Sequence, residues 1–157
     1  THIIRNPYKM GFNTRTMQKF KFFDHTADVL FEAYGKNESE LFHNAALALE
    51  EIQVRTESVE PKTEWIINKE NEKLDMLLFD FLQELIYLKD AEQLLFSKFK
   101  VKVGTGKDKK FHLDAHCQGE KINKKHKLNV DAKAITLHQF EVKKEKAHWK
   151  ARVLVDI

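Results

Sequence analysis

The run Phe111-His112-Leu113-Asp114-Ala115-His116-Cys117 sets two imidazoles and a carboxylate at every second position. Alternate side chains of an extended strand share a face, so His112, Asp114 and His116 would stand together outward while Phe111, Leu113, Ala115 and Cys117 turn inward. That trio could bind a transition metal, although a solvated polar edge explains the pattern more simply. A second group is Asp24-His25-Thr26-Ala27-Asp28, directly ahead of the alternating apolar run at residues 29–34. Aspartate is depleted in strands, so Asp28 at the mouth of one either satisfies a local turn or faces something positive. The third lies at the other end, where Val153, Val155 and Ile157 share a buried face and Asp156 takes the opposite one, beside the chain's own carboxylate. If that strand lies against Asp28, three carboxylates converge, and their repulsion must be offset by protons or a cation. A hard, oxygen-seeking ion such as Ca²⁺, Mg²⁺ or Mn²⁺ fits; the plainer alternative is a solvated Asp156 and a turn-capping Asp28.

Other chemistries find no support. There is no Gly-rich phosphate loop, no G-x-S-x-G, no H-E-x-x-H and no C-x-x-C pair, and nothing identifies a nucleophile. The single cysteine excludes an internal disulfide framework and a four-cysteine zinc site, and points to a reducing compartment.

The elements that must position these groups follow from periodicity. Residues 29–35 read as a strand with Val29, Phe31 and Ala33 on one side. A helix follows, capped by Asn37 with Glu40 as its capping-box partner, its buried stripe being Leu41, Ala45, Ala48, Leu49 and Ile52. Pro61 places a break or an edge before a short β region, and residues 73–88 form a deeply apolar helix through Leu74, Leu77, Leu78, Phe81, Leu85 and Leu88. From Leu94 the period becomes two, giving a hairpin turning at residues 105–110 and two further strands flanking the charged turn at 143–147. The order predicts an α+β fold, two helices packed on a largely antiparallel or mixed sheet, in one domain.

A chain of 157 residues that is 42% hydrophobic, with twelve Phe, can bury a real core. Every apolar run is broken by charge before it could span a bilayer, so a soluble protein without membrane contact is expected. Net charge is +3, but residues 98–157 hold 16 of the 27 Lys and Arg and only 7 of the 24 acids. A basic second half suits phosphate or an acidic partner, and equally suits solvated lysines on exposed strands. Residues 1–21 contain basic side chains, no acid and no clear period, and are left out of the fold reading.

Several of these features together resemble the archease family: His25-Thr26-Ala27-Asp28, the segment at residues 82–101, Gly119-Glu120, His126, Lys133-Ala134-Ile135-Thr136 and the ending at residues 149–157. The resemblance divides the chain into an N-terminal extension or leader, 1–19, and an archease-like domain, 20–157. It implies a non-enzymatic, metal-binding accessory protein that activates the tRNA-splicing RNA ligase of the RtcB kind. Such a helper promotes guanylylation of the ligase and multiple turnover in tRNA splicing and RNA repair, and meets tRNA halves only indirectly. It further implies a divalent metal (Ca²⁺, Mg²⁺ or Mn²⁺) held by Asp28, Asp156 and the carboxylate of Ile157, a functional Lys133, and softer roles for His25, His126 and His138. A cytoplasmic location is implied, or a nuclear one in a eukaryote. The competing reading is an RNA-binding or chaperone-like module acting through the basic half.

Overall fold

The structure is a computed structural model, described here for residues 18–23 and 28–157. The elements are β1 (Phe20–Phe23), β2 (Asp28–Gly35), α1 (Glu38–Gln53), a 3₁₀ turn (Thr56–Ser58), β3 (Thr63–Asn71), α2 (Leu74–Glu92), β4 (Leu94–Thr105), β5 (Phe111–Lys121), β6 (Ala134–Lys144) and β7 (Trp149–Asp156). The α+β class with two helices stands as expected, and every strand pairing is antiparallel. The strands divide between two sheets, ordered β1-β2-β7-β6 and β3-β5-β4. Each helix packs against strands of both sheets, so the helices carry the core that joins them.

Helix α1 starts where its cap predicts. The Asn37 side chain accepts the Glu40 amide at 2.9 Å, while the Glu40 carboxylate accepts the amide of Lys36, one residue earlier than a standard capping box. Gly35 is required by close approach, since a Cβ there would lie 2.3 Å from the Leu41 nitrogen. Both expected stripes are buried apart from half-buried Leu74, and Phe42 of α1 stacks on Phe81 of α2 with ring centroids 6.4 Å apart. Fully burying such a side chain contributes about 1.5–3 kcal/mol. Strand β1 is not announced by the sequence, because four residues are too few to show a period. Its Phe20 and Phe22 nevertheless pack on the core, and Lys19 extends the ladder by accepting the Tyr34 amide at 2.9 Å.

Strand β4 carries a bulge at Ser97, where the pairing steps from Phe96 opposite Gly119 to Lys98 opposite Gln118. The extra residue reverses side-chain parity, so that Phe96 and Phe99 both face the core. Gly119 permits the close crossing, since a Cβ there would lie 1.9 Å from the Leu95 carbonyl oxygen. The buried Phe96 amide is satisfied by Glu50 of α1, whose Oε2 accepts it at 3.2 Å.

The segment at residues 122–133 approaches β6 under two constraints. Buried His126 accepts the Asn123 amide on Nδ1 at 3.0 Å, so its proton sits on Nε2 and is donated to Glu120 at 3.0 Å. Glu120 also accepts the Glu60 amide at 2.7 Å, and this amide, followed by His126, holds its carboxyl below the usual range. Further on, buried Lys89 of α2 donates to the Asp131 carboxylate and the Ala132 carbonyl, while Gln83 accepts the Ile135 amide.

Two outcomes follow. Burial pushes the Glu50 carboxyl from 4.5 to about 8. Between those values the folded chain keeps a proton that the unfolded chain releases, so stability falls as pH rises through that window and levels off above it. Glu50→Gln stays neutral and still accepts the Phe96 amide. In urea melts it should remove this slope and stabilise the protein on the order of 3 kcal/mol at about pH 8; equal slopes in variant and wild type would clear Glu50 as their source. Lys89→Met should cost about 1–3 kcal/mol and speed hydrogen exchange at the Lys133 amide. Unchanged protection there would mean that the α2 clamp does not hold this segment.

Candidate functional site

Strands β2 and β7 pair over eight residues, and the pairing sets Asp28 opposite Asp156. Directly opposed residues of an antiparallel pair share a face, with Cβ atoms about 4.5–5.5 Å apart. Ala134, the first residue of β6, lies opposite Asp156 on its other side. The row across the sheet is therefore Ala134, Asp156, Asp28. Two rows away on the same face, Glu141, Arg152 and Glu32 are aligned, and there the Glu32 carboxylate meets Arg152 at 3.4 Å and Lys150 at 3.6 Å. Asp156 is exposed and has no such cation among the described residues, while Asp28 is half-buried.

Lys133 reaches this row through its backbone. Its amide donates to the Asp156 carbonyl at 2.7 Å, its side chain is exposed, and the Lys89 and Gln83 contacts hold the residues on either side. The Ile157 side chain packs against the core, fixing the residue that follows Asp156. His138 stands elsewhere. Between Thr136 and Glu141 the β6–β7 register breaks, Gln139 takes a left-handed conformation at φ 60°, and exposed His138 lies within that bulge. Its carbonyl accepts the Thr136 hydroxyl at 3.4 Å. His25 falls outside the described residues. Thus the fold brings Asp28, Asp156 and the Lys133 backbone together, keeps Ile157 adjacent, and sets His138 on the bulge.

The β5 face divides differently from the sequence expectation. His112, Asp114 and His116 do point outward, but they do not form one ligand set. His112 turns to Asp108 at 2.9 Å and to Glu70 at 3.6 Å, whereas His116 turns to Glu64 at 2.6 Å and to Asp114 at 3.6 Å. Glu64 and Glu70 come from the neighbouring strand β3, which the sequence of one strand cannot show, while Asp108 comes from the hairpin turn and Asp114 from β5 itself. Among the described residues, Glu70, Asp108 and His112 are the group whose ligand atoms all lie within 4.8 Å of one another. Cys117 is fully buried, and burial pushes its thiol up to about 12, so it behaves as an inert core residue. His126, with Glu120, is a structural node of the approach segment. Gln83 and Lys89 were the residues missed. A lysine and a glutamine on an apolar helix are the only sequence signal, and their partners lie some 40 to 50 residues away.

No described helix is long and apolar enough to cross a membrane. The archease protein family model matches residues 20–157. The chain is 43% identical over 141 residues to the archease of Methanothermobacter thermautotrophicus, covering 90% of this chain and 100% of that one. It is 38% identical over 143 residues to the archease of Pyrococcus furiosus, with the same coverage. The solution structure of Methanobacterium thermoautotrophicum protein 1598 superposes with a TM-score of 0.81 at 42% identity, over 90% of this chain and 100% of that one. A Thermotoga maritima crystal structure, described as an archease and possible chaperone, shares the fold with a TM-score of 0.58 at 20% identity, over 90% and 98%. An α+β chain that matches this family along nearly its whole described length, and superposes on its solved members, belongs to the archease family.

Proposed function

We propose that this archease is a non-enzymatic, metal-binding activator of an RtcB-type RNA ligase, working through the acidic row at the end of β2 and β7. The observation that carries the reading is the register placing Asp28 opposite Asp156, with the Lys133 amide anchored on the Asp156 carbonyl. Like charges directly opposed across a sheet are destabilising, and a cation shared by the two carboxylates would offset that cost. The donor set fits a hard divalent cation (Ca²⁺, Mg²⁺ or Mn²⁺): the carboxylates of Asp28 and Asp156, with the α-carboxyl group of Ile157 as third donor. Bound there, the ion supplies positive charge and Lewis acidity at an exposed sheet end.

The chain's own contribution is positional. Core burial of Val29, Phe31, Val153 and Val155 holds both aspartates in register, and the α2 clamp holds Lys133 beside them. An exposed acidic end with an adjacent lysine suits docking at the mouth of a site where guanylyl transfer develops charge on phosphate, a step that needs correctly placed metal. The proposed setting is the cytoplasm, with tRNA halves bound by the ligase. The RNA-binding or chaperone-like alternative draws on the basic half and predicts indifference to loss of Asp156.

Two measurements test this reading. Substoichiometric protein should stimulate repeated GMP transfer from GTP to the cognate ligase, and Asp156→Ala should abolish that stimulation while keeping the wild-type melting temperature. Absence of stimulation by the wild type would end the activator reading. Calorimetric titration of the protein alone with Ca²⁺, Mg²⁺ and Mn²⁺ should show binding that Asp28→Ala and Asp156→Ala each weaken by at least about tenfold; undiminished binding in both variants would place the ion elsewhere.

A further inference from the structure

The basic charge of the second half is not uniform once folded. On the β6–β7 hairpin, Lys143 pairs with Glu141 and Glu145 and Lys150 pairs with Glu32 and Glu145, while exposed Lys144 and Lys146 make no ion pair among the described residues but lie about the turn and not along one strand face. On β4, by contrast, Lys98, Lys100 and Lys102 are exposed and make no ion pair among the described residues. They alternate with core-facing Phe99 and Val103, so all three project from one face. The β5 residues beside them are Gln118, His116 and Asp114, and the β3 residues beyond are Glu64, Ile66 and Asn68. The carboxylates on this face are already engaged: Glu64 and Asp114 face His116, and Glu70 and Asp108 face His112. The Glu64 contact is the main reason that His116 is held above its ordinary pKa. Lys98, Lys100 and Lys102 thus form a row of basic side chains along β4 with one carboxylate, Asp114, as a direct cross-strand neighbour, of Lys102, and exposed Lys107 and Lys109 follow at the hairpin tip.

We propose that this outer face of the β3-β5-β4 sheet binds single-stranded nucleic acid, with Lys98, Lys100 and Lys102 contacting successive phosphates. Residues two apart on a strand are separated by about 6.6–6.8 Å. This spacing matches neighbouring phosphates of a strand drawn out beyond its stacked rise of about 3.4 Å per nucleotide. Ile66, 52% exposed and cross-strand from His116, forms with that imidazole a flat platform on which a base can rest. Beyond Lys102 the face opens into a depression of about 620 Å³ lined by Gly104, Thr105, His112 and Asp114, where a Cβ on Gly104 would meet nothing within 4 Å. A sheet face with lysines and no arginine reads backbone charge, not base identity. The contact is independent of the acidic row at Asp28 and Asp156, and would make the encounter with RNA direct.

The test is fluorescence anisotropy of the full chain with labelled oligouridylate across a salt series, alongside a duplex of matched length and polyglutamate. The wild type should bind the single strand. The triple variant Lys98→Ala/Lys100→Ala/Lys102→Ala should lose about tenfold or more at low salt and flatten the slope of log K against log salt by about 2, at about 0.7 per phosphate. The matched variant Lys143→Ala/Lys144→Ala/Lys146→Ala should bind within about twofold of wild type, and all three proteins should melt alike. No binding by the wild type, equal losses in both triple variants, or polyglutamate or duplex binding as tightly as the single strand would each overturn the proposal. Wild-type protein that binds the single strand as described but fails to stimulate the ligase would count against the activator reading alone and leave this proposal standing.

Discussion

The antiparallel register between β2 and β7 is the constraint on which the acidic end of the molecule depends. Opposite Val29 lies Val155, opposite Phe31 lies Val153 and opposite Ala33 lies Ala151, all at most 4% exposed. A slip of one residue would turn this set to solvent and bring Leu30, Glu32 and Tyr34 into the core. Losing burial of Phe31 alone would cost about 1.5–3 kcal/mol. The apposition of Asp28 and Asp156 is therefore enforced by residues on the opposite, core-facing side of the same two strands.

Position along the chain hides how that end is completed. The β6 strand closes the row with Ala134, but β6 is an edge strand and its pairing breaks after Thr136. Its beginning is held from beneath by α2, through Lys89 on residues 131–132 and Gln83 on Ile135. A buried ammonium is stable there because a carboxylate and a carbonyl receive its protons. Helix α2 thus does two jobs: its apolar stripe joins the sheets, and two polar side chains on it fix where the Lys133 amide meets Asp156.

Much of this was legible in the sequence where a single element's period decides the outcome. The stripes of α1 and α2, the alternation of β2 and β5, the cap at Asn37 and the core position of Cys117 all followed from spacing, whereas the pairing of β2 with β7 stood in the residues only as a condition, because spacing does not name a strand's partner. What the spacing did not carry is anything set by a partner from another element. The division into two sheets, the bulge at Ser97 and the separate fates of His112 and His116 depend on cross-strand neighbours. Glu50 and Gln53 of α1 belong to the same class: helical periodicity marks them as polar, yet both are buried, because α1 packs against both sheets and has little solvent face to offer.

The same reasoning separates charges that composition lumps together. Counting lysines in residues 98–157 suggests one basic surface, but folding sorts them by whether an acid is near in space. Glu32, from the acidic first half, draws Arg152 and Lys150 across β2–β7, and Glu141 and Glu145 take Lys143. On the other sheet the acids are drawn to histidines: Glu64 and Asp114 to His116, Glu70 and Asp108 to His112. Lys98, Lys100 and Lys102 on β4 are left without an ion pair among the described residues, a pattern that depends on cross-strand neighbours and not on composition.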